Sequence, residues 1–226
     1  MSTRRSIVAV VGAAALGVLA ASCGSGERPG VAELRSSGVG IIADGCSLVG
    51  QLASGVVVDR PGQVVTVAHA IAGATSISVV DHADDVHPAT VRVFDKDRDL
   101  AVLDVPGLDA PARDLASVQV GPGATLTWSR DGGVTYDAAK VSKRLTVTIE
   151  DIYVEETVER RGIEVYGDIR VGDSGGAVLS STGDVIGIIY AKSRTRDRVG
   201  FATDSSELRA LLQTMSDTPV ANGRCQ

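Results

Sequence analysis

Short apolar segments recur along most of the chain, and each one ends at residues that favour turns. Strand-length apolar segments separated by glycine, proline and aspartate are typical of antiparallel β-structure. The clearest lie at 47–58, 63–68, 76–80, 90–94, 100–105, 125–129, 144–149, 176–179, 184–191 and 199–203. Turn signals such as RPG at 60–62 and DGG at 131–133 lie between them. This spacing predicts an all-β sandwich or barrel.

The composition supports this fold class. Aromatic residues make up 3% of the 226 residues, whereas 26 residues are glycine. The core must therefore consist of valine, isoleucine, leucine and alanine, which suits short strands joined by tight turns. The formal charge is -6, and no Lys/Arg-rich cluster is interleaved with aromatic residues. A nucleic-acid partner has no electrostatic support, and we expect none.

One amphipathic helix is predicted towards the end of the sequence. Leu208, Leu211, Leu212 and Met215 fall on one face at helical spacing, and Asp204 stands at the position of an N-cap. An apolar face of this kind is stable only when it packs against other apolar groups. We therefore expect the helix to dock on the β-body.

The first residues are typical of an export signal. Two arginines at 4–5 precede an uncharged apolar run at 7–21, which is short for a membrane span. Small residues then lead to Cys23, which stands where a bacterial lipoprotein signal places its lipidated cysteine. We predict an export signal over 1–22 and a lipid anchor at Cys23. Ordinary signal cleavage is the alternative, because Ala20 replaces the commoner leucine.

The sequence after this signal divides into a linker and one domain. Residues 23–38 contain glycine, serine and charged residues with few apolar ones, which predicts a flexible tether. Residues 39–226 carry the strand signals and the helix, and no internal repeat at solenoid spacing. We expect one domain there, a monomer held by its lipid anchor on the outer face of the cytoplasmic membrane or elsewhere in the cell envelope.

A serine in a glycine-rich turn is the strongest chemical motif. GDSGG at 172–176 leads into an apolar strand at 177–179. The flanking glycines let the main chain approach a substrate carbonyl and direct N–H groups at a developing oxyanion, each worth about 3–4 kcal/mol in measured cases. Ser174 is therefore a candidate nucleophile. An ordinary turn between two strands is the alternative for this motif taken alone.

Two further segments carry the partners that such a serine needs. His69 ends an apolar segment, TVAHA at 66–70, where a half-buried imidazole can act as a general base. Asp99 directly precedes the apolar strand at 100–105, where its carboxylate can hold the other imidazole nitrogen. Either residue alone would be unremarkable, so the interpretation depends on all three segments.

The order His69, Asp99, Ser174 and the three local contexts resemble those of the chymotrypsin-like (trypsin-fold) serine proteases. The short spacings are similar to those of compact bacterial members, the HtrA-like and actinobacterial exported proteases. The resemblance implies two six-stranded antiparallel β-barrels with a C-terminal helix. It also implies a nucleophilic Ser174, a general base His69, an orienting Asp99, and an oxyanion hole formed by the N–H groups of Gly172 and Ser174.

The same resemblance implies substrate-binding positions. The walls of the primary specificity pocket would include Tyr190, Ala191, Lys192 and Gly200. Asp168 falls where trypsin-like enzymes place the acid that selects lysine or arginine. Lys192 can neutralise that acid, so preferences for basic and for small or apolar residues both stay open.

The resemblance also bears on the acid before the nucleophile, Asp173. In trypsin-type zymogens a freed N-terminal amine pairs with this acid. A lipidated Cys23 has no free amine to give. We therefore expect Asp173 to have another partner or to remain solvated.

Together these features predict an exported serine endopeptidase that hydrolyses peptide bonds through an acyl-enzyme and needs no cofactor. Its partner would be a protein or peptide substrate. The alternative is a catalytically idle protease-fold lipoprotein that binds peptides or acts as a scaffold in the envelope, because a fold does not ensure a function. An intact triad argues against this alternative.

Two cysteines remain besides Cys23, and export would place them in an oxidising compartment. We predict a disulfide between Cys46 and Cys225, with two free thiols as the alternative.

The histidines and aspartates at 81–87 fit no closed ligand set, so we expect a solvated loop and no metal.

A charged stretch follows the middle of the sequence. Acidic residues at 150–159 are opposed by Arg160 and Arg161. Charges of both signs in a short segment are typical of a solvated surface. We expect an exposed hairpin or loop face there.

Overall fold

Two antiparallel β-structures form the body of the protein in a computed structural model, which describes residues 29–47 and 50–226. The predicted export signal and Cys23 lie outside the described residues. Neither of the helices in the described ranges is long and apolar enough to cross a bilayer.

The elements follow one another with short connections. The first half contains α1 Val31–Ser36, β1 Gly38–Asp44, β2 Gln51–Val57, β3 Gln63–Thr66, β4 Ser76–Val80, β5 Val86–Pro88, β6 Thr90–Asp95 and β7 Leu100–Asp104. The second half contains β8 Gly121–Ser129, β9 Gly133–Glu150, β10 Thr157–Tyr166, β11 Ala177–Leu179, β12 Val185–Lys192, β13 Val199–Asp204 and α2 Ser205–Leu212.

Strands β1 to β7 form the first lobe, a sheet in the order β5-β4-β1-β2-β3-β7-β6. Strands β8 to β13 form the second lobe, a closed six-stranded barrel in the order β10-β13-β12-β11-β8-β9. The predicted all-β class, two β-lobes and closing helix are confirmed. The first lobe differs from the predicted six-stranded barrel in two respects, because it has seven strands and its sheet does not close into a barrel.

The seventh strand of the first lobe comes from the segment that we expected to be a solvated loop. The buried Asp81 carboxylate accepts the N–H groups of Ala83 and Asp85 at 2.8 and 3.0 Å, and it lies 3.1 Å from Nε2 of His87. These bonds close a tight turn, so that the chain returns and pairs β5 with β4. The acid and the imidazole therefore have local structural partners.

A continuous apolar core joins the two lobes. Fully buried side chains from both lobes belong to it, among them Ile41, Leu103, Leu126 and Leu179. Burial of each such side chain contributes about 1.5–3 kcal/mol. The junction between the lobes is therefore a rigid part of the molecule, and it is where the candidate site lies.

The closing helix α2 docks on this core as predicted. The Asp204 carboxylate accepts the N–H of Ser206 at 2.8 Å and so caps the helix. Leu208 and Leu211 are buried, whereas Met215 lies beyond the last helical residue and packs against the core only in part.

Residues at the start of the described chain are more ordered than the tether that we expected over 23–38. Helix α1 lies inside that range, and its Leu34 is 4% exposed. A Cβ at Gly183 would lie 2.7 Å from Leu34, so the leucine packs directly on that glycine. The spacing of Val31 and Leu34 allows one helical turn, and burial of the leucine holds it in place.

The charged stretch forms the β9–β10 hairpin, whose strands pair from Glu150 and Thr157 onwards. Ile163 and Val165 of β10 point into the barrel. The expectation of an exposed face is wrong for two residues, because Asp151 is buried and so is Arg160. Its side chain reaches the junction of the lobes rather than solvent.

Candidate active site

His69 and Asp99 form a hydrogen-bonded pair in the first lobe. The Asp99 carboxylate accepts the main-chain N–H of His69 at 2.9 Å and lies 2.8 Å from imidazole Nδ1. Asp99 directly precedes β7 and has a φ of 53°, a conformation that aspartate adopts more readily than most residues. A hydrogen bond at Nδ1 leaves Nε2 available to accept a proton.

Opposing influences set the pKa of His69. Burial lowers this pKa, while the hydrogen bond and the negative charge of Asp99 raise it. The positive charge of Arg160 lowers it again. The net effect is a pKa above the ordinary value for histidine, because the nearby carboxylate stabilises the imidazolium.

Ser174 lies on a turn that is bonded to both lobes. Its carbonyl accepts the N–H of Ser54 on β2 at 2.8 Å, and the N–H of Gly175 donates to the carbonyl of Ile189 on β12 at 2.7 Å. Gly175 has a φ of 86°, and a Cβ there would overlap the carbonyl oxygen of Ser54 and Oγ1 of Thr66. The turn therefore needs glycine at this position for two independent reasons.

The Ser174 hydroxyl makes a long contact, 3.5 Å, with the carbonyl of Tyr190. In the described part of the chain, no hydrogen bond joins this hydroxyl to His69. Catalytic hydrogen bonds in ligand-free sites are often long or poorly aligned, and they shorten when substrate binds.

Gly172 opens the same turn to one side. It has a φ of 101°, and nothing lies within 4 Å of the position that a Cβ would take. Its carbonyl accepts the Ser54 hydroxyl at 3.3 Å. The turn is therefore held from below by β2 while its other side is accessible, as an approaching carbonyl requires.

The buried carboxylate of Asp173 stabilises this turn from within. It accepts the main-chain N–H of Arg170 at 2.7 Å, which is a partner other than a terminal amine. Burial raises the pKa of Asp173, and this hydrogen bond, the charge of Arg170 and a hydrogen bond from Thr127 oppose the rise. The acid that precedes Ser174 therefore stabilises the loop to which it belongs.

The predicted substrate-binding residues lie in different places. Asp168 lines a cleft of about 330 Å³ beside the serine turn, together with residues such as Leu52, Trp128 and Gly172. Tyr190, Ala191 and Lys192 line a second cleft of about 410 Å³, with apolar residues such as Ile149 and Phe201. Asp168 therefore lines a different cleft from the three predicted substrate-binding residues on β12.

Asp168 pairs with a different cation from the one we considered. Its carboxylate forms an exposed ion pair with Arg170, not with Lys192. Gly200 is buried, and a Cβ there would overlap Cδ1 of Ile169 and lie 3.2 Å from the Ala191 carbonyl. The Ile169 side chain therefore packs directly on Gly200, in the space that a Cβ would take.

A buried arginine beside the site was not anticipated from the sequence. The guanidinium of Arg160 lies 4.3 Å from the ring centroid of Tyr190. The Tyr190 ring also stacks with the ring of Phe201, with 6.5 Å between the two centroids. Tyr190 is partly buried, and burial raises its pKa. No local pattern distinguishes Arg160 from its exposed neighbour Arg161, so the sequence carries no signal for it.

Three acidic residues nearby, Asp97, Asp151 and Glu156, have the spacing of a metal site. The ammonium of Lys96 lies 3.0, 2.6 and 3.2 Å from their carboxylates. Its hydrogen bond to Asp151 is the main reason that the pKa of this acid is lowered to about 2. A lysine ammonium therefore already occupies the position among these carboxylates that a cation would take, and we assign no metal to the cluster.

Comparisons with known proteins agree with this geometry. The profile of the family described as "Trypsin-like peptidase domain" matches residues 53–188. Serine protease Rv3671c of Mycobacterium tuberculosis is 30% identical over 203 residues, which cover 88% of this chain and 49% of that protein. Protease Do-like 1, chloroplastic, of Arabidopsis thaliana is 33% identical over 159 residues, which cover 66% of this chain and 36% of that protein. The chain spans about half the length of such relatives, or less.

Solved structures show the same similarity. The active form of the Rv3671c protease from M. tuberculosis has a TM-score of 0.81 at 28% identity, with 88% of this chain and 89% of that chain covered. The inactive form of that protease has a TM-score of 0.71, with 82% and 91% covered.

Proposed function

Because the chain belongs to the trypsin-like peptidase family of serine proteases, we propose that it is a serine endopeptidase whose triad is Ser174, His69 and Asp99. The observation that carries this proposal is the His69–Asp99 pair, in which a carboxylate oxygen lies 2.8 Å from imidazole Nδ1, together with a serine turn that is bonded to both lobes. The family alone does not ensure activity, so the proposal depends on the geometry of these side chains.

The proposed reaction begins when Oγ of Ser174 attacks the carbon of a peptide carbonyl. Nε2 of His69 takes the hydroxyl proton, and Asp99 stabilises the resulting imidazolium. The N–H groups of Gly172 and Ser174 stabilise the tetrahedral oxyanion. The intermediate collapses as the leaving amine takes the proton from His69, and an acyl-enzyme remains. Water, activated by His69 in the same way, then releases the acid product.

The test of this proposal is labelling with a fluorophosphonate, which reacts with activated serines. We expect the wild type to label and Ser174→Ala to be silent. Ser36→Ala is the matched control, because Ser36 is partly exposed and its hydroxyl donates to the carbonyl of Glu33 within α1. Equal labelling of wild type and Ser174→Ala would contradict the proposed triad, and absence of any labelling would favour an idle peptide-binding role.

We propose a preference for small or apolar residues before the scissile bond. The apolar side chain of Ile169 packs on Gly200, which favours apolar contact with a small substrate side chain over room for a long one. Asp168 is paired with Arg170 at the surface, so it offers little uncompensated charge to a basic side chain. A peptide library cleaved only after lysine or arginine would contradict this preference and restore Asp168 as the selecting acid.

Export is a separate proposal that depends on the sequence alone. It comprises a signal over 1–22, a lipidated Cys23, a tether in the part of 23–38 that precedes helix α1, and a monomeric catalytic domain within 39–226 on the outer face of the membrane. We expect Cys23→Ser to move the protein from the membrane fraction to the soluble fraction of cells. A wild type that is already soluble after export would mean ordinary signal cleavage.

A further inference from the structure

Arg160 is a buried cation at the back of the candidate active site. It is 5% exposed, and its guanidinium covers the ring of Tyr190 at 4.3 Å. Nη1 donates to the carbonyl of Asp97 at 3.4 Å, and Nε is buried without a hydrogen-bond partner. Within the described residues, no carboxylate approaches this guanidinium closely enough to form a salt bridge.

Such an environment is unfavourable for a side chain that never loses its charge. The electron-rich face of Tyr190 and one carbonyl compensate only part of the lost hydration. A methionine of similar length would fill the same space without this cost. A role limited to packing therefore does not explain a charge at this position.

The contacts of Arg160 lead to the segments that carry two of the proposed triad residues. The carbonyl of Asp97 belongs to the same loop as Asp99. The carbonyl of Tyr190 is the acceptor for the Ser174 hydroxyl. The side chain of Tyr190 is within electrostatic range of both Arg160 and Asp99. One residue of the second lobe thus contacts the wall of the serine turn and the loop of the first-lobe acid.

We propose that Arg160 is a positioning residue for the proposed triad: it holds the Tyr190 ring and the Asp99 loop together and supplies a positive charge close to His69. This inference rests on the proposed function. Among the described residues, the charges that bear on the pKa of His69 are those of Asp99, which is adjacent, and of Arg160, which lies on β10. Asp99 favours the imidazolium, and Arg160 opposes it.

The sign of the expected effect follows from these two charges. Catalysis needs neutral His69, so kcat/KM falls as the pH drops through the pKa of His69. Removal of the positive charge of Arg160 leaves Asp99 unopposed and raises this pKa further. The acidic limb of the pH profile should therefore move to higher pH. A purely structural defect lowers the plateau but does not move the limb.

The experiment compares Arg160→Met, which removes the charge, with Arg160→Lys, which retains it. We expect kcat/KM of Arg160→Met on the acidic limb to fall about two- to tenfold more than at the plateau. The limb of Arg160→Lys should stay at the wild-type position. Arg198→Met is the control, because Arg198 also covers a tyrosine, at 5.0 Å from the Tyr166 ring, but is exposed. An unmoved limb in Arg160→Met would overturn the proposal.

A second measurement does not need hydrolysis. The imidazole resonances of His69 can be titrated by NMR in Ser174→Ala protein with and without Arg160→Met, and His69→Ala assigns them among the three histidines. A higher pKa in the Arg160→Met protein supports the proposal even where the wild type proves inactive, and an unchanged pKa overturns it. If Arg160→Met does not fold, Arg160→Gln serves for the same comparison.

Discussion

At the scale of the residue, the chemistry depends on how Asp99 meets the imidazole. One carboxylate oxygen accepts the main-chain N–H of His69 and the other lies beside Nδ1, so a single side chain fixes both the backbone and the ring. Asp99 is itself nearly buried, which strengthens its influence on the imidazole. Loss of this carboxylate should therefore affect ring orientation and pKa together.

The first prediction concerns Asp99→Asn. The amide keeps the shape of the side chain but loses its charge and favours the wrong imidazole tautomer, so we expect kcat to fall about 10³- to 10⁴-fold. The wild-type acidic limb should lie above pH 6.5, the ordinary value for histidine, because the pKa of His69 is raised. In Asp99→Asn, burial lowers the pKa of His69 and no carboxylate opposes it, so the acidic limb of the profile should move to lower pH. Kinetic pH profiles of both proteins measure these changes.

The same pair predicts a pH dependence of stability. The pKa of His69 is raised in the folded protein, so protonated His69 stabilises the fold fully below the pKa of the unfolded chain. This contribution is lost as the pH rises through the folded pKa. Urea unfolding at pH 5 and pH 8 should therefore show a larger destabilisation by Asp99→Asn at pH 5. Equal losses at both values would contradict the assignment.

At the scale of the element, the serine turn combines two glycines that differ in their surroundings. Gly172 and Gly175 both have positive φ, at 101° and 86°. The position of a Cβ at Gly172 is open space, whereas a Cβ at Gly175 would overlap the carbonyl oxygen of Ser54 on β2. The turn can therefore be accessible on one face and tightly packed on the other.

The second prediction uses these glycines as a matched pair. Gly175→Ala combines backbone strain with a steric overlap, so we expect the free energy of unfolding to fall by about 3 kcal/mol or more. Gly172→Ala has the backbone strain alone and should lose about 1–2 kcal/mol. Urea denaturation of both variants measures the difference. Equal losses would mean that the close approach of the turn to β2 is not what requires glycine.

At the scale of the whole molecule, the C-terminal tail is fastened next to the candidate site. The predicted disulfide is confirmed between Cys46, which follows β1, and Cys225, with a Cα–Cα distance of 5.5 Å. The Asn222 amide donates to the carbonyls of Ile71 and Ala74 at 2.7 and 2.9 Å. The tail therefore clamps the segment that directly follows His69.

The third prediction concerns this disulfide. It closes a loop across a sequence separation of 179 residues. On the chain-entropy model its loss should lower the free energy of unfolding by at most about 5 kcal/mol. Cys225→Ser and Cys46→Ser should show the same loss, and the double variant no more than either, because all three remove one bond. Intact mass after alkylation without reductant checks the bond itself, and two alkylated thiols in the wild type would contradict it.

Features that depend on local pattern could be predicted from the sequence alone. Strand periodicity and turn residues indicated the all-β class, and the spacing of Leu208 and Leu211 after Asp204 indicated a capped helix that docks. Short motifs placed His69, Asp99 and Ser174 in order, because a glycine-rich turn and two strand ends are legible within a few residues. The disulfide followed from the count of cysteines.

The burial of individual charged residues and the contacts between distant segments became known from the three-dimensional structure. The sequence pattern did not predict strand β10, because charged residues on its outer face mask the apolar signal. Its Ile163 and Val165 become part of a core only when the barrel is closed. Arg160 and Arg161 are neighbours in sequence, yet one is buried against Tyr190 and the other is exposed. We predicted Asp168 in the same pocket as Tyr190 and Lys192, but it lines another cleft. Burial and long-range pairing depend on non-local packing, and no local pattern encodes the distances that packing sets.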